Sequence, residues 1–141
     1  MPADAMACTS LNVLVVDDNL LSGQVMGAVL RNLGHRPRTA SGGAHAIQLA
    51  MAEGPDVVLM DLRMPDVDGY EAARRIKTLM PDVIMVAISG AISPRDAAKA
   101  RAAGFEVQLP KPVRPERLQQ VLDSLFPVEG ERRTGVLNYG H

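Results

Sequence analysis

Short apolar runs that alternate with longer amphipathic segments restrict the folds open to this chain. Three runs are rich in β-branched residues and lack polar alternation, which is typical of strands covered on both faces: residues 13–16, 57–60 and 83–88. A briefer run covers residues 107–109. A fifth stretch, Arg36–Ala40, predicts an edge strand, because Pro37 is tolerated at the edge of a sheet and not in its centre.

The segments between these runs carry apolar residues at helical spacing. Such residues recur at i, i+4 over residues 21–33, and shorter periodic stretches cover 44–53, 70–79, 94–103 and 115–125. Ser93 followed by Pro94 is typical of a helix start, and Gly104 is typical of the matching end. Five strands that alternate with five helices need crossover connections, so the sequence predicts a doubly wound α/β fold on a parallel sheet.

The chain of 141 residues suits a single domain of this kind. We expect the domain to span residues 11–127, with tails at 1–10 and 128–141, because neither end shows periodicity. The net charge of -1 argues against nucleic-acid binding, and no apolar run approaches the roughly 20 residues of a membrane span, so we expect neither contact. A single cysteine, Cys8, and the lack of an export signal favour the cytoplasm.

The candidate chemistry lies where the predicted strands end. Asp17 and Asp18 follow the first strand, Asp61 follows the third, and Ser89 and Lys111 follow the fourth and fifth. Open parallel sheets bind ligands beyond these carboxyl ends, so we expect the five side chains to converge. Clustered carboxylates repel one another unless a cation neutralises them, and oxygen ligands in a small site favour Mg²⁺. A carboxylate nucleophile beside Mg²⁺ and an amine is the arrangement of a phosphoryl-transfer site.

With these residues in place, the sequence resembles the receiver domain of two-component response regulators. Four motifs carry the resemblance, in the family's order: Val15-Val-Asp-Asp-Asn19, Met60-Asp-Leu-Arg-Met-Pro-Asp-Val-Asp-Gly69, Ile88-Ser-Gly90 and Leu109-Pro-Lys-Pro112. The resemblance extends over residues 11–126. It implies a flavodoxin-like sheet of five parallel strands in the order 2-1-3-4-5.

The resemblance also implies roles for the residues at the strand ends. Asp61 would be the phosphoacceptor, taking the phosphoryl group from a phosphohistidine. Asp17 and Asp18 would hold Mg²⁺, the implied cofactor, together with Asp61. The backbone carbonyl of Arg63 would be a further metal ligand. Lys111 would pair with a phosphoryl oxygen, and its bond to the following proline is expected to be cis.

Signalling in this family depends on a switch beside the site. The resemblance implies that the Ser89 hydroxyl moves to meet the phosphoryl group and that the segment between Gly90 and Gly104 shifts with it. An aromatic residue usually stands three positions before the lysine, and here that position is Gln108. Either Gln108 signals through a different contact, or the domain serves mainly as a phosphoryl relay station.

The implied partner is a histidine kinase or a histidine phosphotransfer protein, and the implied role is a signalling module, not an enzyme. Whether the activated form is a homodimer stays open. The stretch from Val15 to Leu21 and the stretch Leu33-Gly-His35 are similar to receivers of hybrid histidine kinases, so we expect a domain of such a protein. A stand-alone regulator and a phosphorelay intermediate are the other options.

Three other functional classes are compared with this pattern of residues. A Mg²⁺-dependent phosphohydrolase with an aspartyl nucleophile needs a second acid where this chain has Arg63. A non-phosphorylated binding module is disfavoured because every acidic position and the lysine are present. Dinucleotide binding would require a glycine-rich turn after the first strand, where the sequence is Asp-Asp-Asn.

Overall fold

Five strands form one parallel sheet in the computed structural model, which describes residues 10–62, 69–90 and 93–127. The strands are β1 (Asn12–Val16), β2 (Arg36–Ala40), β3 (Val57–Asp61), β4 (Ile84–Ser89) and β5 (Phe105–Pro110). Their order is β2-β1-β3-β4-β5, and all neighbouring strands are parallel. The predicted doubly wound fold and strand order are therefore confirmed, and β2 lies at an edge, where Pro37 is tolerated.

The described ranges contain five helices: α1 (Leu20–Asn32), α2 (Gly43–Glu53), α3 (Gly69–Leu79), α4 (Pro94–Ala103) and α5 (Pro115–Leu125). Helix α4 begins where the sequence predicts, because Ser93 and Asp96 form a capping box. The Ser93 hydroxyl accepts from the Asp96 amide at 3.1 Å, and the Asp96 carboxylate accepts from the Ser93 amide at 3.4 Å. The helix ends at Gly104, which has a φ of 108°.

The central strand β3 is buried along its whole length, as its unbroken apolar run predicts. Val57 and Leu59 belong to a core that also contains side chains of α1 and α5. Val58 and Met60 point to the other face and belong to a second core, with side chains of α2, α3 and α4. Helices thus cover both faces of the sheet and leave its carboxyl edge for the site.

Helix α1 packs only the second half of its predicted apolar row against the core, where Val29 and Leu33 are partly buried. Its buried residues are Gly23, Gly27 and Leu30. Leu21 and Val25, which begin the i, i+4 row, are 69% and 56% exposed. A Cβ at Gly27 would lie 3.9–4.0 Å from two β2 side chains, in ordinary van der Waals contact, so this face of the helix packs directly against that strand. The first half of the predicted apolar row therefore lies at the surface.

Several predicted features lie outside the described residues. They are residues 1–9 with Cys8, residues 63–68 with Arg63, and residues 128–141. The proposed boundaries at 10/11 and 127/128 thus stay predictions. No helix within the described ranges combines the length and apolar character needed to cross a bilayer.

Candidate functional site

Three carboxylates meet at the carboxyl edge of the sheet. Asp61 is the last residue of β3, and Asp17 and Asp18 directly follow β1, which pairs with β3. Each contributes an oxygen atom, and these oxygens lie within 4.8 Å of one another. Asp61 is buried, Asp17 is half-buried and Asp18 is exposed, so the cluster opens to solvent on one side. A cluster of this size and composition could bind a metal ion.

Hydrogen bonds fix the turn that carries the first two carboxylates. The Asp17 amide donates to the Ala40 carbonyl at 3.0 Å, which ties the turn to the end of β2. The Asp17 carboxylate accepts from the Asn19 amide at 2.9 Å. Asn19 is in turn the N-cap of α1, since its side-chain oxygen accepts from the Ser22 amide at 2.9 Å. The same short segment therefore ends a strand, begins a helix and orients an acidic ligand.

Lys111 provides the positive charge of the site. Its Nζ donates to Asp61 Oδ2 at 2.8 Å, and its amide donates to the Ser89 carbonyl at 2.9 Å. This ion pair raises the pKa of Lys111, chiefly through the hydrogen bond to Asp61. The Lys111–Pro112 peptide bond is cis, which confirms the prediction.

Burial raises the pKa of Asp17, and the negative charges of Asp61 and Asp18 add to the rise. The hydrogen bond from the Asn19 amide and the charge of Lys111 act in the opposite direction without cancelling it. One lysine thus offsets three carboxylates only in part. A cation at the cluster would relieve the repulsion that remains.

Ser89 is the last residue of β4 and is 5% exposed. Its neighbour Ile88 is paired with Asp61 across β3 and β4, so the hydroxyl lies one residue beyond the acidic cluster. The five side chains that were predicted to converge therefore all lie at, or just beyond, the carboxyl ends of strands, on the same side of the sheet. Gln108 lies apart from them and hydrogen-bonds to α4, with Nε2 3.1 Å from the Ala97 carbonyl oxygen.

An apolar groove beside the site is the feature that the sequence analysis did not identify. It has a volume of about 640 Å³ and runs from Asp17, Asp61 and Lys111 along α1 to Val113. Its apolar wall includes Leu21 and Val25, which are exposed although they share one helix face. The sequence did contain a signal for this groove. Two apolar residues stand one helical turn apart directly after the acidic turn, and the same helix has glycines on another face that can pack against the sheet.

A doubly wound sheet with three carboxylates, a hydroxyl and a lysine at its carboxyl edge defines a small class of signalling modules. The chain belongs to the family of response regulator receiver domains, which matches residues 13–123. It is therefore a receiver domain of two-component signalling.

Curated relatives of the chain include proteins of two kinds. It is 32% identical over 117 residues to the transcriptional regulatory protein ZraR of Klebsiella oxytoca. This match covers 83% of this chain and 26% of ZraR. It is 30% identical over 110 residues to the sensor histidine kinase RcsC of Salmonella typhi. This match covers 78% of this chain and 12% of RcsC. The chain thus spans about a quarter or less of these relatives.

Solved receiver structures superpose over most of the chain. One is the receiver domain of a sensor histidine kinase from Pseudomonas aeruginosa PAO1, with a magnesium ion coordinated in its active-site cleft. It has a TM-score of 0.75 and 31% identity, over 82% of this chain and 97% of that one. Another is the receiver domain of Ssk1 from Saccharomyces cerevisiae, crystallised with the histidine phosphotransfer protein Ypd1. It has a TM-score of 0.75 and 28% identity, over 81% and 87% of the two chains.

Proposed function

We propose that Asp61 accepts a phosphoryl group from a phosphohistidine on a partner protein. The observation that carries this proposal is the 2.8 Å ion pair between Asp61 and Lys111 within a cluster of three carboxylates. A carboxylate oxygen of Asp61 bonds to phosphorus while the phosphorus–nitrogen bond of the phosphohistidine breaks. The imidazole nitrogen keeps that electron pair and takes up a proton from solvent. Lys111 then holds one of the phosphoryl oxygens.

Asp17 and Asp18 are the residues that would hold Mg²⁺ beside Asp61. The raised pKa of Asp17 and the closeness of the three carboxylates support a divalent cation there. When bound, the metal neutralises charge on the transferring phosphoryl group. The backbone carbonyl of Arg63 remains the proposed further ligand. The magnesium ion in the Pseudomonas aeruginosa receiver, which is 31% identical, agrees with this choice of metal.

The partner surface is proposed to be the apolar groove along α1. Leu21 and Val25 are exposed on this helix, and the groove leads from them to Asp61. A partner that brings a phosphohistidine to Asp61 would bury these side chains and gain affinity from their removal from water. The co-crystal of the yeast receiver with Ypd1 supports a histidine phosphotransfer protein as this partner.

Variants of the groove separate docking from chemistry. Leu21→Asp and Val25→Asp should slow phosphoryl transfer from a phosphorylated histidine phosphotransfer protein at least tenfold, since each puts a charge into an apolar contact. Labelling by acetyl phosphate, which needs no docking, should stay unchanged. Met51→Asp, at an exposed methionine of α2, is the matched control. An equal loss of transfer rate in Leu21→Asp, Val25→Asp and Met51→Asp would argue against this docking surface.

Phosphorylation of Asp61 itself is tested by labelling with acetyl phosphate in the presence and absence of Mg²⁺. Intact-mass spectrometry should show one added phosphoryl group on the parent chain, only with Mg²⁺, and none on Asp61→Asn. Asp82→Asn, at an exposed turn before β4, should be labelled like the parent. Equal labelling of the Asp61 variant and the parent would refute the proposal.

We further propose that residues 11–127 form one domain of a longer hybrid histidine kinase. The supporting observations are the matches to RcsC and to the receiver of the Pseudomonas aeruginosa sensor kinase. An antibody raised against the domain should detect a native protein several times heavier than the 15.1 kDa of these 141 residues. A native band near that mass would contradict this origin.

A further inference from the structure

The apolar groove between α1 and the segment after β5 has the size and composition of a small-molecule site. Its volume of about 640 Å³ lies within the range of roughly 300–1,000 Å³ that is usual for such sites. Four polar side chains line it: Asp17, Ser22, Asp61 and Lys111. Every other lining residue that the structure describes is apolar. This composition suits a ligand with a charged group and an apolar group.

The polar and apolar parts of the groove are separated along α1. The charge is concentrated where Asp61 and Lys111 form an ion pair of 2.8 Å. Helix α1 leads away from this point, and Val25 and Val29 follow Leu21 by one and two turns. A ligand that places its charged group at the ion pair therefore extends its apolar group along this helix.

The apolar part of the groove is already formed in the absence of a ligand. Met26, Val29 and Val113 are partly buried and pack against the core that α1 and α5 share with β3. Leu21 and Val25 form the exposed rim, at 69% and 56% exposure. An apolar group that enters meets a surface held in place by the core, so little ordering of the protein opposes its binding.

The direction of phosphoryl transfer places the leaving group of a donor at this rim. The attacking and leaving atoms lie roughly in line, on opposite sides of the phosphorus. Asp61 is 7% exposed and forms the buried end of the groove. A phosphoryl group on its way to Asp61 therefore carries its leaving group on the outer side, level with Leu21 and Val25.

We propose that the apolar groove selects small phosphodonors by their leaving group, so that an acyl phosphate with a longer apolar chain, such as butyryl phosphate, is a better donor than acetyl phosphate. A carboxylate oxygen of Asp61 bonds to phosphorus, the bond from phosphorus to the bridging oxygen breaks, and the acyl group leaves as a carboxylate with that electron pair. The acyl chain contacts Leu21 and Val25 during the transfer. This selection rests on the proposed phosphorylation of Asp61, and it applies while no partner protein covers the groove.

The labelling rates with acetyl phosphate and with butyryl phosphate test the selection. Both donors are supplied with Mg²⁺ at the same subsaturating concentration, and intact-mass spectrometry follows the phosphorylated chain. Acetate and butyrate are leaving groups of nearly equal basicity, so the ratio of the two rates reports the contacts of the two extra methylene groups. Full burial of both would give a gain of roughly fifteenfold, and the groove is open on one side, so butyryl phosphate should label the parent about threefold to tenfold faster.

A variant of the rim shows whether the groove causes this preference. Leu21→Asn combined with Val25→Asn removes the apolar rim and adds no charge. The ratio of the two rates should fall close to unity in this variant and keep the parent's value in Met51→Asn, at an exposed methionine of α2. An unchanged ratio in the rim variant, or an equal fall in Met51→Asn, would overturn the role of the groove.

The parent chain alone separates the two proposals. If acetyl phosphate does not label it, the proposed function and the selection fail together. If acetyl phosphate labels it and butyryl phosphate is no faster, phosphorylation of Asp61 stands and the selection alone is overturned.

Discussion

Replacing Asp17 with asparagine should stabilise the metal-free domain and weaken its response to Mg²⁺. The raised pKa of Asp17 means that its ionised form is disfavoured in the folded state, through burial first and then the charge of Asp61. Asparagine removes the charge and keeps the side-chain oxygen that accepts from the Asn19 amide at 2.9 Å. The turn should therefore survive the substitution.

The size of the gain follows from the spacing of the carboxylates. Two unit charges 4.8 Å apart, the largest separation within the cluster, repel by about 0.9 kcal/mol in water and about 3.5 kcal/mol at an effective dielectric constant of 20. Asp17 is partly exposed and Lys111 offsets part of the negative charge, so the repulsion energy lies nearer the value for water. We expect a gain of about 0.5–1.5 kcal/mol in the free energy of unfolding, or about 2–6 °C in Tm.

The pH dependence has a defined sign. Because the pKa of Asp17 in the folded state lies above its ordinary value of 3.8, the folded protein binds more protons than the unfolded one in this range. The contribution of Asp17 to stability therefore falls as pH rises from below 3.8 through the raised pKa. In Asp17→Asn this part of the pH profile should disappear, so the two proteins should converge at acidic pH.

Mg²⁺ should stabilise the parent more than Asp17→Asn, by about 1 kcal/mol, and so offset most or all of the variant's gain. A ligand at ten times its dissociation constant stabilises the folded state by about 1.4 kcal/mol, and a tenfold weaker affinity leaves about 0.4 kcal/mol. Thermal unfolding of both proteins, with and without Mg²⁺, measures this directly. Asp82→Asn, an exposed aspartate at the opposite edge of the sheet, should behave like the parent. A lower metal-free Tm of Asp17→Asn, or a Mg²⁺ shift equal to that of the parent, would refute the electrostatic argument.

Four further substitutions test the site and the core. Asp61→Asn should lower the pKa of Lys111, observed by NMR titration, because the ion pair that raises it is lost. Gly104→Ala should destabilise by more than 1 kcal/mol in urea unfolding, since φ is 108° and the new Cβ would lie 2.7 Å from a lysine side-chain carbon. Gly54→Ala, with a φ of 61° and open space, should cost less. Leu118→Ala should cost about 2–5 kcal/mol in the same assay, because the side chain is fully buried.

Much of the fold could be predicted because its determinants are local in sequence. Unbroken β-branched runs identify buried parallel strands, and the capping box at Ser93 with Gly104 identifies both ends of α4. The convergence of Asp17, Asp61 and Lys111 also follows, since strands of one direction end at the same edge.

The exposed face of α1 could not be predicted from periodicity. Spacing shows which residues share a face, and it does not show which face meets the sheet. In α1 the buried residues are Gly23, Gly27 and Leu30, and the core also contacts Met26, Val29 and Leu33. Leu21 and Val25 are left at the surface beside the site. The apolar groove is thus a consequence of packing and not of pattern alone.

The position of Gln108 depends on one irregularity of β5. Met85 is paired with Phe105 and Val86 with Val107, so Glu106 is an extra residue in the ladder. Its carboxylate accepts from the Met85 amide at 3.2 Å and lies 3.4 Å from a lysine Nζ, which stabilises the bulge. Without this insertion, every later side chain of β5 would point to the opposite face. Gln108 would then face α1 and α5 and could not reach α4, so the bulge is what allows the strand leading to Lys111 to contact this helix.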